Sequence, residues 1–176
     1  MKGLIIIAAS AAALTASVIS AQACDPRLYQ SKHAVAPKLP ASMLAKNHPN
    51  SPSDTSIVGF WRVTYSDPNN NPLYSSLQQW HSDGTEFEFA DIPTITGDIC
   101  MGTWVQDRRT AKLWHTAWTF DSNGNPAGTL VLKETPKVSR DGNSFGGPFD
   151  LKFYDLEGNL ETEIQGTNEA DRLTVQ

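Results

Sequence analysis

Cysteine is nearly missing: Cys24 and Cys100 are the whole supply in 176 residues. His81, His115, Cys100 and Asp83 are suitable metal donors, but no Cys-x-x-Cys pair and no His-x-x-x-His spacing joins them, so neither a metal nor another cofactor is expected. Gly142-Asn143-Ser144-Phe145-Gly146 fits Gly-x-Ser-x-Gly, but no helix-length apolar period follows it, so the strand–turn–helix elbow of a hydrolase nucleophile is not expected. Basic residues are scarce from residue 57 onward, nine against seventeen acidic ones. A phosphate-binding surface needs the opposite sign, so nucleic acid and anionic membrane are disfavoured as partners. The acidic balance suits a protein kept soluble outside the cell. No helix-length apolar period lies between the strand-like segments, which excludes parallel strands joined by helical crossovers.

What is present begins with an export signal. Lys2 precedes an apolar run from Leu4 to Ile19, and Ala21-Gln22-Ala23 supplies a small-x-small cleavage site. Residues 1–23 therefore read as a signal peptide and the product as secreted or periplasmic. Cys24 would be the first mature residue, and export permits a Cys24–Cys100 disulfide. A cysteine at that place also suggests a lipid anchor, the one route by which this chain would meet a membrane, although Ala21 stands where a lipobox commonly has leucine. Residues 24–56 carry prolines at 26, 37, 40, 49 and 52 and no sustained apolar period, and so read as an arm or linker. Ala41–Lys46 could form one helical turn, and His33 and His48 read as solvated residues.

From residue 57 to 176 short alternating segments follow one another at about 57–66, 73–81, 85–90, 99–106, 111–120, 128–138, 144–154 and 160–175. Asn69-Asn70-Asn71-Pro72, Asp83-Gly84, Asn123-Gly124, Asp141-Gly142 and Gly158-Asn159 separate them, and Asn-Gly or Asp-Gly supplies the positive φ of tight hairpins. Hairpins in series make a meander, and a meander of eight strands hides its edges by closing. The expected fold is all-β, an eight-stranded antiparallel up-and-down barrel with room inside for side chains or one small ligand.

Gly59-Phe60-Trp61 on the first strand and Arg172 on the last resemble the Gly-x-Trp and closing arginine of lipocalin-type (calycin) barrels. The resemblance implies that Arg172 packs over the Trp61 indole and seals one end, a cation–π contact. Trp80-His81-Ser82-Asp83-Gly84-Thr85-Glu86, Cys100-x-Gly-x-Trp104 and His115-x-x-Trp118 together resemble exported bacterial proteins of unassigned function, which brings no activity with it.

Two regions could carry chemistry. A two-residue loop at Asp83-Gly84 sets His81 opposite Glu86 and Trp80 opposite Phe87, a His–carboxylate couple suited to proton transfer. Strand alternation favours Trp80, Phe87 and Phe89 as the inward set, which puts His81, Glu86 and Glu88 in water. The second region centres on His115. With Arg108-Arg109 as the preceding turn, His115 falls opposite Gly102, and Cys100 opposite Ala117 on the same face, with Leu130 or Leu132 across the next hairpin. That face suits a pocket; the opposing face of Trp114, Trp118, Phe120 and Val131 is more apolar and competes for the interior. His115, Trp104, Cys100 and Gly102 are the candidate ligand-binding residues, and His115, His81 and Glu86 the candidate catalytic ones.

Five tryptophans offer walls for an apolar guest. The leading expectation is an exported barrel that binds a small, mostly apolar molecule. An isomerase, cyclase or lyase using His115 or His81 beside a carboxylate is the alternative from another class. A third is an envelope protein without a cavity that supports partners through its arm. Nothing in the sequence bears on oligomeric state.

Overall fold

The computed structural model describes residues 55–174. The expected signal peptide, nearly all of the arm with its helical turn, His33, His48 and Cys24 lie outside the described residues. Nine antiparallel strands follow: β1 (Gly59–Ser66), β2 (Pro72–Trp80), β3 (Thr85–Ala90), β4 (Ile99–Asp107), β5 (Thr110–Phe120), β6 (Pro126–Glu134), β7 (Lys137–Val138), β8 (Ser144–Tyr154) and β9 (Leu160–Leu173). Each long strand pairs with its sequence neighbour, β6 with β8, and β9 with β1, so eight strands close into a barrel. The segment expected as one strand over 128–138 is two. Pro136 has no N–H to give a ladder, and the chain breaks around it before the two residues of β7 resume pairing with β8.

Turn chemistry fixes the hairpins at one end. In loops 67–71, 121–125 and 155–159 the leading aspartate Oδ1 accepts the backbone N–H groups two and four residues on, at 2.7–3.0 Å. In each, Oδ2 accepts the Nδ2 of the closing asparagine at 2.9 Å. These bonds hold the Asp67, Asp121 and Asp155 carboxyls below the usual carboxylate range.

The opposite end is sealed as the Gly-x-Trp resemblance implies. Trp61 is fully buried and donates its indole N–H to the Ile57 carbonyl at 2.8 Å. The Arg172 guanidinium lies 4.0 Å above the indole. It donates to the carbonyls of Gly142 at 2.6 Å, Val58 at 2.8 Å and Ser56 at 2.7 Å. A Cβ on Gly59 would collide with that guanidinium. Phe145 and Trp80 pack beneath, their ring centroids 6.0 Å apart and Phe145 4.8 Å from Trp61.

Above this aromatic floor the core has an apolar side, with Leu113, Leu132, Phe149 and Leu151 buried, and a polar side built from β2, β3 and the middle of β5. Outward-facing aromatics follow from the alternation: Phe87, Phe89, Trp114 and Trp118 are exposed. No helix among the described residues is long and apolar enough to cross a membrane.

Candidate functional site

The site depends on a register. The β2–β3 loop has three residues, not two: His81 N–H donates to the Thr85 carbonyl at 2.9 Å and Gly84 N–H to the His81 carbonyl at 3.1 Å. Gly84 takes φ +88°, a conformation that a side chain disfavours. Trp80 therefore pairs with Glu86, Gln79 with Phe87 and Gln78 with Glu88. One residue of slip exchanges the faces of a strand. Phe87 and Phe89 point into water, Glu86 and Glu88 into the barrel, and the expected His81–Glu86 couple does not form, because His81 is exposed at the loop.

The β4–β5 register is as expected. Gly102 pairs with His115, and His115 in turn with Leu132 on β6. His115 is only 1% exposed, while Trp114 and Trp118 on the alternate face are 47% and 76% exposed. A Cβ on Gly102 would overlap that of His115 and lie 2.6 Å from the Trp114 carbonyl. The imidazole is thus seated by a missing side chain.

These two registers deliver one cluster, to which β1 adds Tyr65 and β6 adds Glu134. His115 Nδ1 lies 3.1 Å from Glu86 Oε2, and His115 Nε2 lies 3.6 Å from Glu88 Oε2. Gln78 Oε1 accepts the Trp80 indole N–H at 3.0 Å, which turns its amide nitrogen inward. That nitrogen donates to the Tyr65 hydroxyl at 2.9 Å and to Glu88 Oε2 at 3.2 Å. The Tyr65 hydroxyl bonds to Glu134 Oε1 and lies 3.3 Å from Glu88 Oε2. One hydroxyl proton cannot serve both carboxylates, so both contacts are hydrogen bonds only when a carboxyl carries a proton of its own.

The electrostatics agree. Burial pushes the Glu86 carboxyl up to about 8. It does the same to Glu134, with Glu88 adding like charge. Burial also raises Glu88, opposed by His115. Tyr65 and Tyr74 are raised well above the usual phenol range by burial. Each of the three glutamates keeps one buried oxygen without a hydrogen bond: Glu86 Oε1, Glu88 Oε1 and Glu134 Oε2. Leaving such groups unpaired costs roughly 1–3 kcal/mol each.

Beside the cluster is a cavity of about 20 Å³, bordered by Glu88, Cys100 and His115 and by the apolar Ala90, Leu130 and Leu151. It runs toward the β3–β4 connection, where Ile92 and Gly97 also border it. About 10–15 Å³ suffices for one water, so the space holds one water-sized occupant. The expected tryptophan wall is not there. Trp114 and Trp118 face outward. Trp104 sits at the sealed end, its ring 5.6 Å from Trp80 and its N–H on the Thr85 carbonyl at 3.0 Å.

Of the expected site residues, the fold brings together His115, Gly102, Cys100 and Glu86; it sets His81 and Trp104 apart from them. Sequence reasoning missed Glu134, Tyr65, Gln78 and Tyr74, and placed Glu88 in water. Glu134 was within reach, since it continues the inward alternation of Leu130 and Leu132.

Comparisons of the chain with family models, with curated proteins and with solved structures return no match.

Proposed function

We propose that this chain is an exported binding barrel that takes a small ligand against its interior acid–imidazole cluster. The ligand presents a cationic or hydrogen-bond-donating group to the carboxylates. One observation carries this reading: two buried glutamates, Glu86 and Glu88, flank one histidine next to a cavity, a third, Glu134, joins them through Tyr65, and each of the three has an oxygen without a hydrogen bond. A barrel that served only as a scaffold would be more stable with apolar side chains in those places, because buried carboxyls are costly unless paired. The cavity argues against a bulky apolar guest, for which sites of ~300–1,000 Å³ are usual. The leader of residues 1–23 supports an extracytoplasmic setting.

A second reading is supported by the His115–Glu86 contact: the pair could move a proton in an isomerase, cyclase or lyase. Turnover of a candidate substrate, lost in both His115→Gln and Glu86→Gln, would favour it over binding alone.

The binding reading is tested with methylammonium and guanidinium in the presence of a chelator, following the His115 ring signals by NMR. Saturable shifts that vanish in Glu88→Gln are expected. If neither cation shifts His115, and an apolar dye binds with normal affinity in Glu88→Gln, the polar cluster is not the binding site.

A further inference from the structure

We propose that the barrel interior binds one divalent transition-metal ion, zinc being the best fit, through Glu88, Cys100 and His115. The inference deepens the binding reading by naming the occupant of the same cluster.

Three adjacent strands supply the donors. Glu88 on β3 pairs directly with Cys100 on β4, and His115 on β5 pairs with Gly102, two residues along from Cys100. All three are buried, and one ligand atom from each lies within 4.8 Å of the other two. Zinc with Zn–S near ~2.3 Å and Zn–N or Zn–O near ~2.0–2.2 Å sets tetrahedral donor separations of roughly 3.4–3.6 Å. The 3.6 Å between His115 Nε2 and Glu88 Oε2 already has that value, and small side-chain movements close the rest. Nitrogen, thiolate sulfur and carboxylate oxygen together suit a borderline-soft ion rather than calcium or magnesium, which prefer oxygen alone.

Two further features point to an ion. His115 has Glu86 on its Nδ1 side at 3.1 Å. With metal on Nε2, the ring proton sits on Nδ1 and Glu86 accepts it, the carboxylate–histidine–metal arrangement that orients a ligating imidazole. Glu88 is 1% exposed, and its Oε1, with the Ser76 hydroxyl nearby, makes no hydrogen bond of good geometry. The donors border the 20 Å³ cavity, which leaves a fourth position for a water or for the ligand's own donor atom. On coordination the Cys100 thiol gives its proton to solvent and binds as thiolate; no electron changes hands.

The test uses the folded barrel, reduced, stripped with chelator and titrated with Co²⁺. One equivalent should give tetrahedral visible bands and a thiolate-to-cobalt band in the near ultraviolet, both removed by Zn²⁺. Cys100→Ser should lose the thiolate band. Glu88→Gln and His115→Gln should weaken binding by well over tenfold. Glu86→Gln, which leaves all three donors in place, should weaken it by ~10–100-fold. Circular dichroism shows whether each variant has folded. A folded wild type without the thiolate band, or equal cobalt binding in Cys100→Ser, overturns the proposal. Organic-cation binding under chelator, with no stoichiometric metal, would leave the binding reading standing and remove only the metal.

Discussion

At the scale of single residues, Gly102 illustrates how a side chain can be positioned by what its neighbour lacks. His115 leans into the space across the ladder, and a methyl group there has nowhere to go. Gly102→Ala should cost ~1–3 kcal/mol by overpacking. It should also move the imidazole away from Glu86 and Glu88. The neighbouring Thr103 faces water, so Thr103→Ala should stay within about 0.5 kcal/mol of wild type. Thermal melts of the two variants, with the His115 NMR signals as the positional reporter, check this. Equal melts and unmoved signals would mean that the glycine seat has no structural role. The seat was legible in the sequence, because Arg108-Arg109 as a two-residue turn sets Gly102 against His115 by counting alone. The inward placement of Glu86 and Glu88 was not. Asp83-Gly84 is compatible with a two- or a three-residue loop, and the difference of one residue decides whether Glu86 and Glu88 face water or the interior.

At the scale of elements, the barrel closes where β1 meets β9, and Arg172 is the clamp across that seam. Its three carbonyl partners come from the lead-in to β1 and from the loop before β8. One side chain thus joins three segments. Arg172→Ala removes the indole stack and leaves these carbonyls without their donor, so it should cost ~2–4 kcal/mol. That approaches the ~3–5 kcal/mol expected for Trp61→Ala. Arg172→Lys should recover little, since one ammonium cannot span the three acceptors. Urea midpoints decide it, and a wild-type midpoint for Arg172→Lys would count against the clamp. The strand pattern and the Gly-x-Trp start sufficed to foresee the closed barrel and this seal. The break at Pro136 was not foreseen, although a proline inside a segment read as one strand is its sign.

At the scale of the whole molecule, acidic groups pull stability in opposite directions. Glu134 is held protonated up to about 8 by burial, near Glu88, His115, Tyr65 and Glu86. In the unfolded chain it ionises in the ordinary range, near ~4.3. Between these values the folded state holds the extra proton. This contribution is therefore complete at low pH and declines as pH rises toward 8, by up to ~1.4 kcal/mol per pH unit. The turn aspartates act the other way. Asp67, Asp121 and Asp155 are lowered by their asparagine side chains, so their contribution is present above the ordinary carboxylate range and lost as pH falls through their folded values. The melting temperature of metal-free protein should peak in weak acid and fall toward pH 8. Glu134→Gln should flatten the alkaline slope, and an unchanged slope would show that Glu134 ionises freely in the fold.

The seam has one more consequence. Phe60 pairs with Leu173, so the chain enters and leaves the barrel side by side at the sealed end, while the cavity runs toward the other. A linker, a bead or a sensor surface joined upstream of Thr55 or downstream of Thr174 would hold the molecule by its base. The β3–β4 connection would then face the bulk liquid, and immobilised barrels should take up the proposed guest as freely as dissolved ones.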